Sequence, residues 1–111
     1  MPLRAKSFVK GDAITLSYQL KENGASKDIS GMTFKFGAKE KIDDMQYKIE
    51  PVSGLIENSG EGKFSFTLTG AQTNIVFSGV YEITMYDSFL KKTTLTPSGG
   101  VPIKITENII D

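Results

Sequence analysis

Apolar side chains in this chain recur at every second position, and no other feature restricts its fold as strongly. Ile14, Leu16, Tyr18 and Leu20 alternate with Thr15, Ser17 and Gln19, the period of a strand that buries one face. Met32, Phe34, Phe36 and Ala38 repeat the pattern, as do Phe64, Phe66 and Leu68, then Tyr81, Ile83 and Met85, and finally Val101, Ile103 and Ile105. Met45, Tyr47 and Ile49 give a further run that Pro51 ends, since proline has no ladder N–H to donate.

Turn chemistry falls between these runs. Asn23-Gly24 supplies the positive φ angles of a tight hairpin. Residues 52–61 carry Gly54 and Asn58-Ser59-Gly60 and read as a loop with a short edge strand at Leu55-Ile56. Residues 71–78 lack alternation and read as a crossover between sheets. A turn at Asp87-Ser88 leads to a partner strand holding Thr93 and Leu95. Six or seven strands with turns at this spacing predict an all-β antiparallel sandwich or barrel formed by one domain over residues 1–111.

Composition narrows the function classes. Thirteen basic residues balance thirteen acidic ones, so the broad positive field that phosphate neutralisation needs is missing and nucleic acid is not an expected partner. There is no Cys and no His, which removes disulfides, thiolate metal sites and the commonest general base together. Residues 1–11 mix Arg4, Lys6 and Lys10 with isolated apolar residues, so no signal-peptide core is expected. No uncharged apolar stretch approaches the roughly 18 residues of a membrane span.

Each candidate for chemistry has a structural reading that outweighs it. Glu40, Asp43 and Asp44 are the densest carboxylates, but Lys39, Lys41 and Lys48 surround them and the Asp/Asn/Gly spacing of a Ca²⁺ loop is absent, so a solvated charged hairpin is expected. Residues 58–62 resemble a glycine-rich phosphate cradle with no helix behind it, and read as a turn. Thr93, Thr94, Thr96 and Ser98 offer hydroxyls with only Lys91 and Lys92 nearby, the pattern of a guarded edge rather than a nucleophile. Phe34, Phe36, Phe64, Phe66 and Tyr81 fall on inward positions and read as core. Phe8, Phe77, Tyr86 and Phe89 fall outside clear patterns and are the candidates for an exposed contact. No catalytic, metal-ligating or cofactor-binding residue is assigned, and no cofactor is expected.

Several segments in succession resemble the immunoglobulin-like domain at the N-terminus of phage baseplate upper proteins and of small prophage tail-associated proteins. They are Val9-Lys10-Gly11-Asp12, the run Asp28-Ile29-Ser30-Gly31-Met32-Thr33-Phe34, the Phe-rich strand within residues 62–69, Thr73 with Gly79-Val80-Tyr81, and Thr94-Leu95-Thr96-Pro97-Ser98-Gly99-Gly100. The resemblance implies an immunoglobulin-like two-sheet sandwich that assembles with other phage tail or baseplate proteins, and implies no enzyme. It places the protein in a virion built in the host bacterial cytoplasm, as a structural or adaptor module and possible homo-oligomer. Those proteins often continue into a receptor-facing or oligomerising region, whereas this sequence ends at Asp111.

Without the Trp and disulfide of antibody domains, the sheets must be joined by apolar burial, which at roughly 25 cal/mol per Å² several Phe side chains supply. Tyr81 reads either as a Greek-key corner tyrosine or as a plain core residue. The alternative function is a carbohydrate-binding or adhesion module with Tyr47, Tyr86 or Phe89 as stacking residues. An enzyme using Glu40, Asp43 or Asp44 is a third and weaker reading.

Overall fold

A computed structural model of the chain describes residues 3–107. Within them lie eleven strands: β1 (Lys6–Val9), β2 (Ile14–Gln19), β3 (Lys21–Glu22), β4 (Ala25–Ser26), β5 (Thr33–Lys39), β6 (Ile49–Ser53), β7 (Leu55–Asn58), β8 (Lys63–Leu68), β9 (Phe77–Tyr86), β10 (Lys92–Thr94) and β11 (Val101–Thr106). No described residue is helical, and no helix is long and apolar enough to cross a membrane.

The larger sheet runs β1-β11-β9-β5-β6 with β10 also on β9, and the smaller runs β2-β8-β7. The two sheets supply the inward-facing strands of a sandwich, β2 and β8 from one and β5, β9 and β11 from the other. The expected all-β sandwich is therefore present, with more strands than six or seven. The pieces beyond the expected ones are β1 and the β3-β4 hairpin, which forms a sheet of its own. One pairing is parallel rather than antiparallel: β1 lies alongside β11, with Lys6 opposite Ile103 and Val9 opposite Thr106.

Alternation sets which side chains meet between the layers. Leu16 and Tyr18 from β2, Phe34, Phe36 and Ala38 from β5, Phe64, Phe66 and Leu68 from β8, and Tyr81 and Ile83 from β9 all face inward and are buried. Phe34 and Phe64, from opposite sheets, stack with centroids 4.0 Å apart and planes 9° apart. Phe36 and Phe66 form a second bridge at 5.6 Å. Such pairs add about 0.5–1.5 kcal/mol each beyond the area they bury, which is how the sheets hold without a disulfide.

Several local expectations need correction. Met45 and Tyr47 are not on a strand, because β6 starts only at Ile49. Their alternation arises in a loop, where Met45 is almost fully exposed. Pro51 does not end a strand but sits inside β6, the outermost strand of its sheet, at a bulge opposite Gly37. A missing N–H is tolerated at such a place. Phe77, taken as an exposed candidate, is buried at the start of β9 opposite Ile105. Ser65, on the outward side of β8, is buried as well, and its hydroxyl donates to Glu57 Oε1 at 2.7 Å.

Tyr81 resolves in favour of the core. Its hydroxyl donates to the Arg4 carbonyl at 2.8 Å, 77 residues away along the chain, whereas a corner tyrosine bonds backbone only a few residues upstream. This bond ties the N-terminal segment to the closed interior.

Candidate functional site

The β9–β10 connection, next to the start of β5, carries two adjacent exposed apolar residues. Phe89 and Leu90 at its tip keep 88% and 81% of their surface in solvent. Elsewhere a loop so exposed would be mobile, yet this one is pinned by a single carboxylate.

Asp87 Oδ1 accepts from the Phe89 and Lys91 amides, both at 2.9 Å. The Leu90 amide donates to the Asp87 carbonyl at 2.9 Å, and the Asp87 amide to the Lys91 carbonyl at 3.2 Å. Four bonds thus fix five residues, an Asx turn nested in a tight hairpin. They also hold Leu90 at φ +63°, a left-handed conformation that costs an ordinary L-residue about 1–2 kcal/mol. A strained, rigid loop that presents two apolar side chains to water is what a preformed contact tip requires, since little ordering entropy is left to lose on binding.

A second feature lies on the outer face of the larger sheet. Gly37 leaves a gap on β5, and the Tyr47 ring from the β5–β6 loop lies over it, so close that a Cβ there would stand 3.0 Å from the ring edge. Lys39 Nζ sits 4.8 Å from the same ring's centre. Between Tyr47 and Tyr86, with Lys35, Glu82 and Thr84 beneath, is a shallow cavity of about 110 Å³. Drug-sized sites run roughly 300–1,000 Å³, so this groove has room for a single ring-sized group. Of the three proposed stacking residues, Tyr47 and Tyr86 therefore share one groove, and Phe89 stands apart on the loop.

The remaining candidates do not assemble into chemistry. Asp44 Oδ2 accepts from the Lys41 amide at 3.0 Å, and Glu40 lies 3.8 Å from Lys48 Nζ, both beside an open bay of about 460 Å³. Ca²⁺ needs six to eight oxygens, and no group of three or more acids that could hold a metal occurs among the described residues. In the 58–62 turn two amides are engaged within the turn itself: Glu61 N–H donates to Asn58 Oδ1 and Gly62 N–H to the Ser59 carbonyl. Gly62 sits there at φ +71°, where a Cβ would meet the Leu20 and Lys27 carbonyls, so its role is to close the turn onto the neighbouring loop. Thr93 and Thr94 are exposed on β10, and Thr96 is buried with no partner for its hydroxyl. Phe8 is half-buried against the core.

Neither a scan of protein-family models nor a search of curated proteins finds a match to this chain. The geometry of these surfaces thus has to carry the functional reading. The missed residue is Leu90, for which the signal was present: an apolar pair directly after the Asp87-Ser88 turn, outside any alternation.

Proposed function

We propose that this protein is a non-enzymatic adaptor of a phage or prophage tail or baseplate that binds a neighbouring tail protein through the 87–91 loop. One observation carries the contact mode: Phe89 and Leu90 are held out in water by a hydrogen-bonded, strained loop. Aromatic and aliphatic anchors of this kind dominate interface energetics when they enter a pocket. The tail setting is supported by the succession of segments that resemble baseplate domains, from Gly11-Asp12 to Gly99-Gly100.

The test is co-sedimentation with tail particles assembled from the genes beside its own. The chain should travel with the particles, and the double variant Phe89→Ser, Leu90→Ser should remain in the supernatant while melting at the same temperature. Equal retention of the variant, or neighbouring genes that encode no tail component, defeats the reading.

The second reading, a carbohydrate-binding or adhesion module, is favoured by the Tyr47–Tyr86 groove. Stacking of a sugar on these rings would move amide signals of Gly37 and Thr84 in an NMR titration with oligosaccharides. Tyr86→Ala would abolish the shifts, and no shift with any glycan tested removes this alternative.

A further inference from the structure

Strands at the border of a sheet expose a row of backbone donors and acceptors, and proteins normally blunt them with charges, proline, bulges or short length. Among the described residues, apart from the three-residue β10 that starts with Lys92 and pairs only with β9, the larger sheet ends in β1 and β6, and the smaller in β2 and β7. Three of these borders are protected. β6 contains Pro51 and a bulge, β7 has four residues with Glu57 and a bulge, and β1 has four residues beginning with Lys6. β2 is different: its six residues, Ile-Thr-Leu-Ser-Tyr-Gln, include no charge, proline or glycine.

The outward backbone groups of β2 can be assigned. Leu20 N–H donates to the Gly62 carbonyl at 2.8 Å on the β8 side. Antiparallel alternation then turns the backbone of Tyr18, Leu16 and Ile14 toward β8 and that of Thr15, Ser17 and Gln19 away from it. Arg4 accepts from Tyr81, and residues 3–5 make no backbone hydrogen bond to β2.

The geometry points to β2 as a self-pairing border, at which two copies of this chain join antiparallel about a two-fold axis through Ser17. That register sets Ser17 against Ser17 of the second copy and Thr15 against Gln19, forming about six backbone hydrogen bonds from the outward groups. It also keeps Leu16 and Tyr18 on the buried side in both copies, which a shift by one residue would not. The occupant follows from the charge pattern within β2: identical neutral strands meet with no like charges opposed, since the Lys6 ammonium 5.7 Å from the Tyr18 ring centre comes from β1 and not from the border strand. Such a joint is isologous and closes at two copies, and it leaves the 87–91 loops of both free, so it stands apart from the tail-binding reading.

Because the chain has no cysteine, Ser17→Cys creates a single thiol that meets its own copy only in this register. Sedimentation of the unaltered protein should show a species at twice the 12.1 kDa chain mass, growing with concentration. Mild oxidation should cross-link Ser17→Cys far faster than Thr67→Cys, an exposed control on β8. Ser17→Lys should sediment at the single-chain mass with an unchanged melting temperature, since two lysines would then face each other. The proposal fails if the protein sediments as one chain at every concentration, if the two thiol variants cross-link at the same rate, or if Ser17→Lys still pairs. The Phe89→Ser, Leu90→Ser protein should self-associate normally, which separates this outcome from that of the tail-binding test.

Discussion

Between the sheets Phe34 and Phe64 stack 4.0 Å apart with essentially no exposure, whereas at the tip of the β9–β10 connection Phe89 leaves 88% of its surface in water. Both regions are rigid, but for different physical reasons. Apolar burial holds the interior, where Tyr18, Phe34, Phe36, Phe64, Phe66 and Tyr81 form one connected set of ring contacts. Polar backbone bonds to Asp87 hold the tip, and the apolar groups there contribute nothing to holding it. Stability and recognition are thereby separated along the chain, so substitutions should divide cleanly between them.

The largest expected effect lies in the interior. Phe64→Ala removes a ring that stacks on Phe34 and on Tyr18 and meets Phe66 edge-on, and should cost about 3–5 kcal/mol in urea unfolding. Phe89→Ala, by the same measurement, should stay within about 0.5 kcal/mol of the parent. If the two losses are similar, the tip is part of the folding core and the division is wrong.

Next in size is the clamp itself. Asp87→Ala deletes the acceptor of two amides and should destabilise by about 1–2 kcal/mol, with faster hydrogen exchange at Phe89 and Lys91 and unchanged exchange in β5. Leu90→Gly acts in the opposite direction. It relieves a left-handed leucine at φ +63° and should raise stability by up to about 1 kcal/mol, even as it removes one of the two apolar contacts. A variant that is more stable yet binds tail particles less well would show strain retained for contact. Equal or tighter binding by the glycine variant would show that Leu90 is only a turn residue.

How far the sequence foretold this division depends on which force acts. Burial has a period, so β2, β5, β8, β9 and β11 were legible from odd-even spacing alone. The same rule misread Met45 and Tyr47, because alternation across three residues also occurs by chance in a loop with no sheet to bury it. It was silent on β1, four residues whose parallel partner lies almost a hundred positions away. The break between β10 and β11, where residues 95–100 lie opposite only Glu82 and Ile83, was legible from the Ser98-Gly99-Gly100 turn rather than from spacing. At the tip, Phe89 stood out as an aromatic outside any pattern. The Asp87 clamp did not, since a carboxylate that accepts from two amides has the same sequence signature as any Asp-Ser turn.

The smallest expected effect tests where the interior is imperfect. Tyr18 packs its ring on Phe64 and Phe66, but its hydroxyl is buried with no hydrogen-bond partner. Burial, and then the nearby Tyr81, push that hydroxyl far above its ordinary value of 10.0. The fold therefore favours the neutral phenol, and the sign follows. Stability from this group is complete below about pH 10 and declines as pH rises further, because the unfolded chain ionises first. Tyr18→Phe removes the orphaned hydroxyl and should leave stability at neutral pH equal or higher by up to about 1 kcal/mol. It should also flatten the alkaline limb of urea midpoints measured from pH 9 to 12. A slope remains, since Tyr81 is raised by burial too. If Tyr18→Phe instead weakens the protein at pH 7 as much as Asp87→Ala does, the hydroxyl has a partner through bound water. The interior would then rest on a polar bond in the same way as the tip, and the contrast between the two regions would be one of degree.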